Sequence, residues 1–305
     1  MADRAVLAAI LAAIVLLPGC LGVGEARTEW AFTATQLDQM PGLGHTGKGV
    51  TIAVLDTGIG RTHPALTHLF DGNRDNGEVI EFRDFLHGIN GAANAYDDVG
   101  HGSHVLGLIG AAGSTLGDQI SYGGVNLLGG APDALFLVAK VCDDVECPDA
   151  AVLSAIRWAT STGSDIISLS LGRNSAVGPL DSIVTDDLTN AVNAALDAGI
   201  VVVASAGNDG PDNADVKSPA NIPGVIAVGA IKRDLTVWEG SNRGDDDGNP
   251  CQTFPVIGTR GRCDPHKKPE LVAPGVEVLS AWTNDGYARA TGTSQACPFV
   301  TSTVA

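Results

Sequence analysis

Cationic side chains are scarce in this chain: 18 Lys and Arg stand against 35 Asp and Glu, a formal charge of −17. A field of that sign repels phosphate backbones and anionic headgroups, which excludes nucleic acid and charged membrane surfaces as partners. Long apolar runs are missing too. The longest, residues 5–17, has 13 members, short of the ~20 that a helix needs to cross a bilayer. Internal repeats and low-complexity linkers are absent, so nothing divides the chain into arrays or tethered units. What remains is 44% hydrophobic with 39 glycines in no fixed period. That composition excludes disorder and fibres, and fits one globular domain with many tight turns.

The first twenty residues read as an address. Arg4 precedes the 5–17 run, as in a signal peptide. The run ends in LLPGC at 16–20, which resembles the lipobox of prokaryotic lipoproteins with Cys20 as the lipidated residue; simple signal cleavage is the alternative. Either way the chain is expected to be exported, secreted or lipid-anchored. The acidic excess fits a surface adapted to high ionic strength, where screening relieves self-repulsion, or equally an ordinary acidic exported protein. Export permits disulfides. Spacing points to local bridges between Cys142 and Cys147 and between Cys251 and Cys263, leaving Cys297 free.

Apolar runs bounded by Gly, Pro or Asp read as buried parallel strands at 50–55, 134–141, 166–170, 200–205 and 225–230. Between them lie helical patterns. Residues 149–162 carry Val152, Ile156 and Ala159 on one face and meet Gly163, while 186–198 carry Leu188, Val192 and Leu196 and meet Gly199. Strands alternating with helices predict an α/β fold, a parallel sheet with helices on both faces. Ligands of such sheets gather beyond the carboxyl ends of the strands.

Three motifs with chemical potential fall at such places. VLDTGIG, 54–60, puts the Asp56 carboxylate at the end of a buried strand. By itself it is a turn Asp, or half of an aspartic-peptidase dyad, but the dyad needs a second Asp-Thr-Gly or Asp-Ser-Gly and there is none. GHGSHVLG, 100–107, places glycines on both sides of His101, with His104 one helical turn later. A metal pair there would need a carboxylate at ligand spacing, which is missing; two packing histidines are the plainer alternative. GTSQACP, 292–298, opens a helix with Ser294, whose amide points out of the first turn where an oxyanion could bind. A simple Ser N-cap would look the same. It is not the Gly-x-Ser-x-Gly elbow of α/β-hydrolases, because Ala296 replaces the last Gly.

Taken in order, Asp56, His101 and Ser294 resemble the triad of the subtilisin-like serine peptidases, whose chain order is Asp, His, Ser. ASAGNDG at 204–210, SLSLG at 168–172, SPANIPGVIAVGA at 218–230 and KPELVAPG at 268–275 extend the resemblance over about residues 40–305. It implies a secreted endopeptidase acting on proteins or peptides, with Asn208 as oxyanion donor. Substrate contacts are implied for Ser170, Leu171, Gly172, Ser205, Ala206, Gly207 and Lys217. No cofactor is required for the chemistry, though structural calcium is a family feature. The rival from another class is a catalytically silent binding protein on the same fold. The domain plan is then a signal segment at 1–20, a short segment at 21–39, and a peptidase domain at 40–305 that is expected to lack its C-terminal part.

Several positions depart from the family pattern. Gln295 and Phe299 stand where the family usually has Met and His, so altered packing and resistance to peroxide are expected. Ala65 follows His63-Pro64 where a calcium-binding carboxylate usually lies, leaving the loop around Asp118 and the acidic run 245–248 as other sources of oxygen ligands. Only a short stretch separates the signal from the domain, too short for a folding prodomain. Lys217 stands where relatives have the Gly that floors the pocket for the residue before the scissile bond. Its ammonium either enters that pocket and favours acidic substrates, pairs with Asp209, Asp212 or Asp215, or turns to solvent.

Overall fold

The computed structural model describes residues 27–28, 30–112, 125–172, 181–211, 216–244 and 268–305. The expected signal segment with Cys20, the Asp118 loop, Asp212, Asp215, the 245–248 run and the expected Cys251 and Cys263 pair lie outside the described residues.

The five apolar runs form strands, joined by two that have weaker patterns. In chain order they are β1 (Thr51–Asp56), β2 (Glu78–Asp84), β3 (Leu135–Lys140), β4 (Ile166–Leu169), β5 (Val201–Ser205), β6 (Ile226–Ile231) and β7 (Leu271–Pro274). They build a sheet of order β2-β3-β1-β4-β5-β6-β7, with every neighbouring pair parallel. Two more strands, β8 (Val278–Ala281) and β9 (Tyr287–Ala290), form a separate antiparallel hairpin. The helices are α1 (Trp30–Thr35), α2 (His101–Gly110), α3 (Asp149–Thr162), α4 (Asp181–Asp197) and α5 (Thr293–Val304).

Alternate strand residues point to opposite faces, and the core divides accordingly. Ile52 and Val54 of β1 join a cluster with Leu106 and Ile109 of α2 and Cys297 and Phe299 of α5. Ala53 and Leu55 join another with Ile156 and Trp158 of α3 and Val192 of α4. Both faces of the sheet are therefore covered, as the alternating pattern predicts. Gly163 and Gly199 end α3 and α4 with φ of 84° and 86°, a left-handed conformation that glycine adopts without steric cost.

From β1 the chain passes to the edge strand β2, returns to β3 beside β1 and then crosses to β4 on the other side, so the crevice opens beyond the ends of β1, β4 and β5. Asp56 ends β1, Ser170 follows β4, and Ser205 ends β5. The segment before the sheet also takes part in the fold. Ala31 and Phe32 of α1 and the following Leu37 are buried in the same cluster as α5. Phe32 meets Phe299 edge-on at 5.1 Å between ring centroids, so the altered packing expected at position 299 is an aromatic pair. Such a pair contributes about 0.5–1.5 kcal/mol beyond its buried area.

Candidate active site

Asp56 is 1% exposed. Its Oδ1 accepts from the Thr57 amide at 2.8 Å and lies 2.7 Å from His101 Nδ1. An ionised carboxylate only accepts, so Nδ1 must carry the proton, and neutral His101 keeps a lone pair on Nε2. Burial is the largest influence on the His101 pKa and lowers it; the Asp56 charge and hydrogen bond, with the Asp97 charge, outweigh it and leave the net shift upward.

His101 opens α2, and the start of that helix is bound tightly to the turn after β1. A Cβ on Gly102 would lie 2.2 Å from the Gly58 carbonyl oxygen, and one on Gly58 2.1 Å from the Tyr96 carbonyl oxygen. Glycine at Gly58 and Gly102 therefore serves the approach of backbone to backbone. Asp97 fastens the junction. Its Oδ1 accepts from Thr57 Oγ1, Val99 N and Gly100 N, and its Oδ2 from Ser103 N and Ser103 Oγ, all within 2.7–3.0 Å. Thr57 Oγ1 accepts in turn from Gly102 N at 2.8 Å. Beneath them the buried Lys140 donates to Thr57 O at 2.9 Å, Cys142 O at 3.0 Å and Asp98 Oδ1 at 2.6 Å. Neither Asp97 nor Lys140 belongs to a motif that marks it out; the pair of acids just before the helix is the one trace in the sequence.

The second histidine has no part in the site. His104 is fully buried, its Nε2 donates to Val278 O at 3.0 Å, and its ring meets Trp282 edge-on. Burial and the neighbouring His101 push its pKa down to about 3, so it stays a neutral packing residue. His63 is likewise buried, donating from Nε2 to Gly286 O at 2.7 Å.

Ser294 sits in the first turn of α5, where amides have no intrahelical acceptor. Its hydroxyl donates to Ser170 O at 2.8 Å, and Ser170 Oγ donates back to Ser294 O at 3.0 Å. A hydroxyl has one proton, so Ser294 is not donating to His101 in this arrangement, and rotation about χ1 is needed to direct it there. Asn208 Oδ1 accepts from Thr293 N at 2.8 Å and Thr293 Oγ1 at 3.0 Å, and Gly207 N donates to Thr293 Oγ1. With its oxygen committed to Thr293, Asn208 keeps its Nδ2 as a donor.

Asp56, His101, Asn208 and Ser294 line one cleft of about 660 Å³. Ser170, Leu171, Gly172, Ser205, Gly207 and Lys217 line it as well, as the resemblance implies. Ala206 does not: its side chain packs in the core behind β5, and its carbonyl accepts from Lys217 N at 2.9 Å. Lys217 is buried rather than turned to solvent, and its ammonium pairs with Asp209. The opposite rim is the loop closed by the predicted Cys142–Cys147 disulfide, with Asp143 and Asp144. Cys297 is free and buried, and burial raises its thiol pKa to about 11. A thiol so placed is inert packing.

For calcium, Ala65 is buried and brings no side-chain oxygen. Among the described residues no group of three or more His, Cys, Asp or Glu could hold a metal. Among the described residues, position 65 therefore contributes no side-chain ligand to such a site.

Comparison with known proteins identifies the family. The subtilase family profile matches residues 47–305. Serine protease AprX of Bacillus subtilis (strain 168) is 34% identical over 251 residues, which cover 79% of this chain and 50% of that protein. Subtilisin DY of Bacillus licheniformis is 31% identical over 271 residues, covering 88% of this chain and 80% of the other. The crystal structure of a cold-adapted subtilisin-like serine proteinase superposes with a TM-score of 0.60 at 26% identity, covering 84% of this chain and 74% of that one. The chain belongs to the subtilase family of serine endopeptidases. It spans half the length of AprX and about four-fifths of subtilisin DY.

Proposed function

We propose that this chain hydrolyses peptide bonds in proteins or peptides with Ser294 as nucleophile, His101 as general base and acid, and Asp56 as the group that orients His101. The observation that carries the reading is the convergence of the Asp56–His101 pair, Ser294 and an Asn208 with its oxygen already occupied on one cleft. Once the Ser294 hydroxyl turns from Ser170 O to His101, Nε2 takes its proton as Oγ bonds to the scissile carbonyl carbon. The carbonyl π electrons move to oxygen, and the oxyanion accepts from Asn208 Nδ2 and the Ser294 amide. The imidazolium, stabilised by Asp56, passes its proton to the amine as the C–N bond breaks. Water then attacks the acyl ester, losing a proton to His101, and Ser294 recovers that proton as its ester bond breaks. Every proton moves between side chains of this chain, substrate and water, so no step is routed through a metal.

A fluorophosphonate probe tests the reading, since only an activated serine is labelled. Wild type should be labelled and Ser294→Ala should not; an unlabelled wild type would favour a silent binding protein on the same fold. Asn208→Ala should lower kcat by about 10²–10³, a magnitude that comes from a member of this family, with little change in KM. A steady-state comparison showing the loss mainly in KM would remove Asn208 from the oxyanion site.

The pH profile follows from the upward shift of His101. A general base must be neutral, and a raised pKa keeps it protonated to higher pH. The acid limb of kcat/KM should therefore fall away as pH drops through a value above the ordinary 6.5. Asp56→Asn should move that limb down and cut kcat by about 10⁴, as in other triads. An acid limb that stays in place in Asp56→Asn would mean that Asp56 does not set the His101 pKa.

The N-terminal run supports export, and so does the Cys142–Cys147 bridge, since disulfides persist in oxidising compartments. Family membership does not decide location, because the relatives include a major intracellular serine protease and a minor extracellular protease of Bacillus subtilis. No helix among the described residues is long and apolar enough to cross a membrane. Lipid attachment at Cys20 would be seen as palmitate labelling that Cys20→Ala removes.

A further inference from the structure

We infer that Lys217 makes the pocket beside Ser294 selective for an acidic side chain on the residue before the scissile bond, with Asp209 as the carboxylate that substrate displaces. The inference rests on the endopeptidase reading and adds the substrate class. Lys217 is 8% exposed and lines the cleft that holds Ser294 and Asn208. Its stem runs between the two segments assigned to substrate contact. A Cβ on Gly172 would lie 2.9 Å from Lys217 Cβ, and one on Gly207 2.4 Å from Lys217 Cγ. Its backbone is fixed by the bond from Lys217 N to Ala206 O at 2.9 Å. The Lys217 Cβ and Cγ are therefore held between these segments, and the base of the side chain cannot swing out of the pocket.

The carboxylate can. In the Lys217–Asp209 pair the Asp209 side chain is 48% exposed against 10% for Lys217, so Asp209 regains water by a side-chain rotation while its backbone stays bonded to Asn242 Oδ1. An apolar side chain entering the pocket strips water from the pair and supplies no partner, which is costly for buried charge. A substrate Glu or Asp brings a carboxylate to the same ammonium and releases Asp209 to solvent, so the charge count around Lys217 is preserved. The opposite rim works the other way. Asp144 is exposed, and Asp143 accepts from Val145 N and Glu146 N at 2.8 Å each. These carboxylates repel an acid placed beside them, which confines the preference to the Lys217 end of the cleft.

The test measures kcat/KM for peptides that differ only in Glu, Gln or Leu at that residue, for wild type, Lys217→Gly, Lys217→Met and Asp209→Asn, with fluorophosphonate labelling of each. Wild type should prefer Glu to Leu by on the order of tenfold, the scale of one charge-assisted hydrogen bond. Both Lys217 variants should erase the preference, and Lys217→Met guards against a collapse of the pocket in the glycine variant. Asp209→Asn should raise the Glu to Leu ratio, because one internal competitor is gone. A labelled wild type that favours Leu, or a ratio that both Lys217 variants leave unchanged, overturns the inference alone. An unlabelled wild type overturns it together with the endopeptidase reading.

Discussion

Replacing Ser294 by Ala should lower kcat for peptide hydrolysis by about 10⁶, a magnitude that comes from a member of this family. No neighbouring group can stand in for the lost nucleophile. Ser170 Oγ is in the cleft but donates to the Ser294 carbonyl, and nothing in the structure pairs it with a base. The fold should survive. The substitution removes the bond from Ser294 Oγ to Ser170 O, worth about 1 kcal/mol, and adds no volume. Kinetics and thermal unfolding measured on the same preparation check both halves. Turnover close to wild type would remove Ser294 from the mechanism, while loss of cooperative unfolding would make the result uninformative about chemistry and contradict the expected stability.

Asp97→Ala should be the most damaging substitution outside the three proposed catalytic residues. One carboxylate accepts five hydrogen bonds, three on Oδ1 and two on Oδ2. Bonds to a charged acceptor are worth about 1.5–3 kcal/mol each, but they share one group and do not add. A net loss of about 3–5 kcal/mol is expected, the scale for stranding polar partners of a removed charge. Activity should fall with stability, because the amides on both sides of His101 lose their anchorage. Gly100 N bonds Asp97 directly, and Gly102 N bonds Thr57 Oγ1, which itself donates to Asp97. Asp97→Asn keeps one acceptor oxygen and should recover part of both losses. Denaturant unfolding and kcat on the two variants decide it; wild-type stability in Asp97→Ala would show that solvent replaces the whole network.

How much of this was legible follows from where each feature gets its signal. β1, β3, β4, β5 and β6 read clearly because parallel strands buried on both faces are continuous apolar runs. β2 and β7 lie at the sheet edges and did not. Glu78, Glu81 and Arg83 interrupt β2, which also shifts register between Val79 and Glu81. Leu271 and Val272 of β7 are exposed. Asp56, His101, Asn208 and Ser294 stood out because each lies in a short motif with its own turn chemistry. Asp97 and Lys140 did not: most Asp97 bonds are local ones that any loop acid could make, and what ties each residue to the site is a contact with Thr57, 40 and 83 positions away. An Asp ahead of a glycine-rich turn looks like any loop residue until the turn it holds is known. Lys217 was legible as an oddity, but excluding a turn to solvent needed its burial and its pairing with Asp209, while Asp212 and Asp215 lie outside the described residues.

The placement of Ser294 after every strand of the sheet has a consequence for biosynthesis. A ribosome adds about 5–20 residues per second and releases the chain from its N-terminal end. Asp56 and His101 thus emerge long before Ser294, and for most of translation the growing chain carries the proposed base and its orienting acid without the proposed nucleophile. When α5 appears, it packs between α2 and the strands from β4 to β7, all of which have already left the ribosome. On the proposed mechanism the site is complete only once α5 has docked on these earlier elements, so a nascent chain without α5 would have no nucleophile with which to cut itself or its unfolded neighbours.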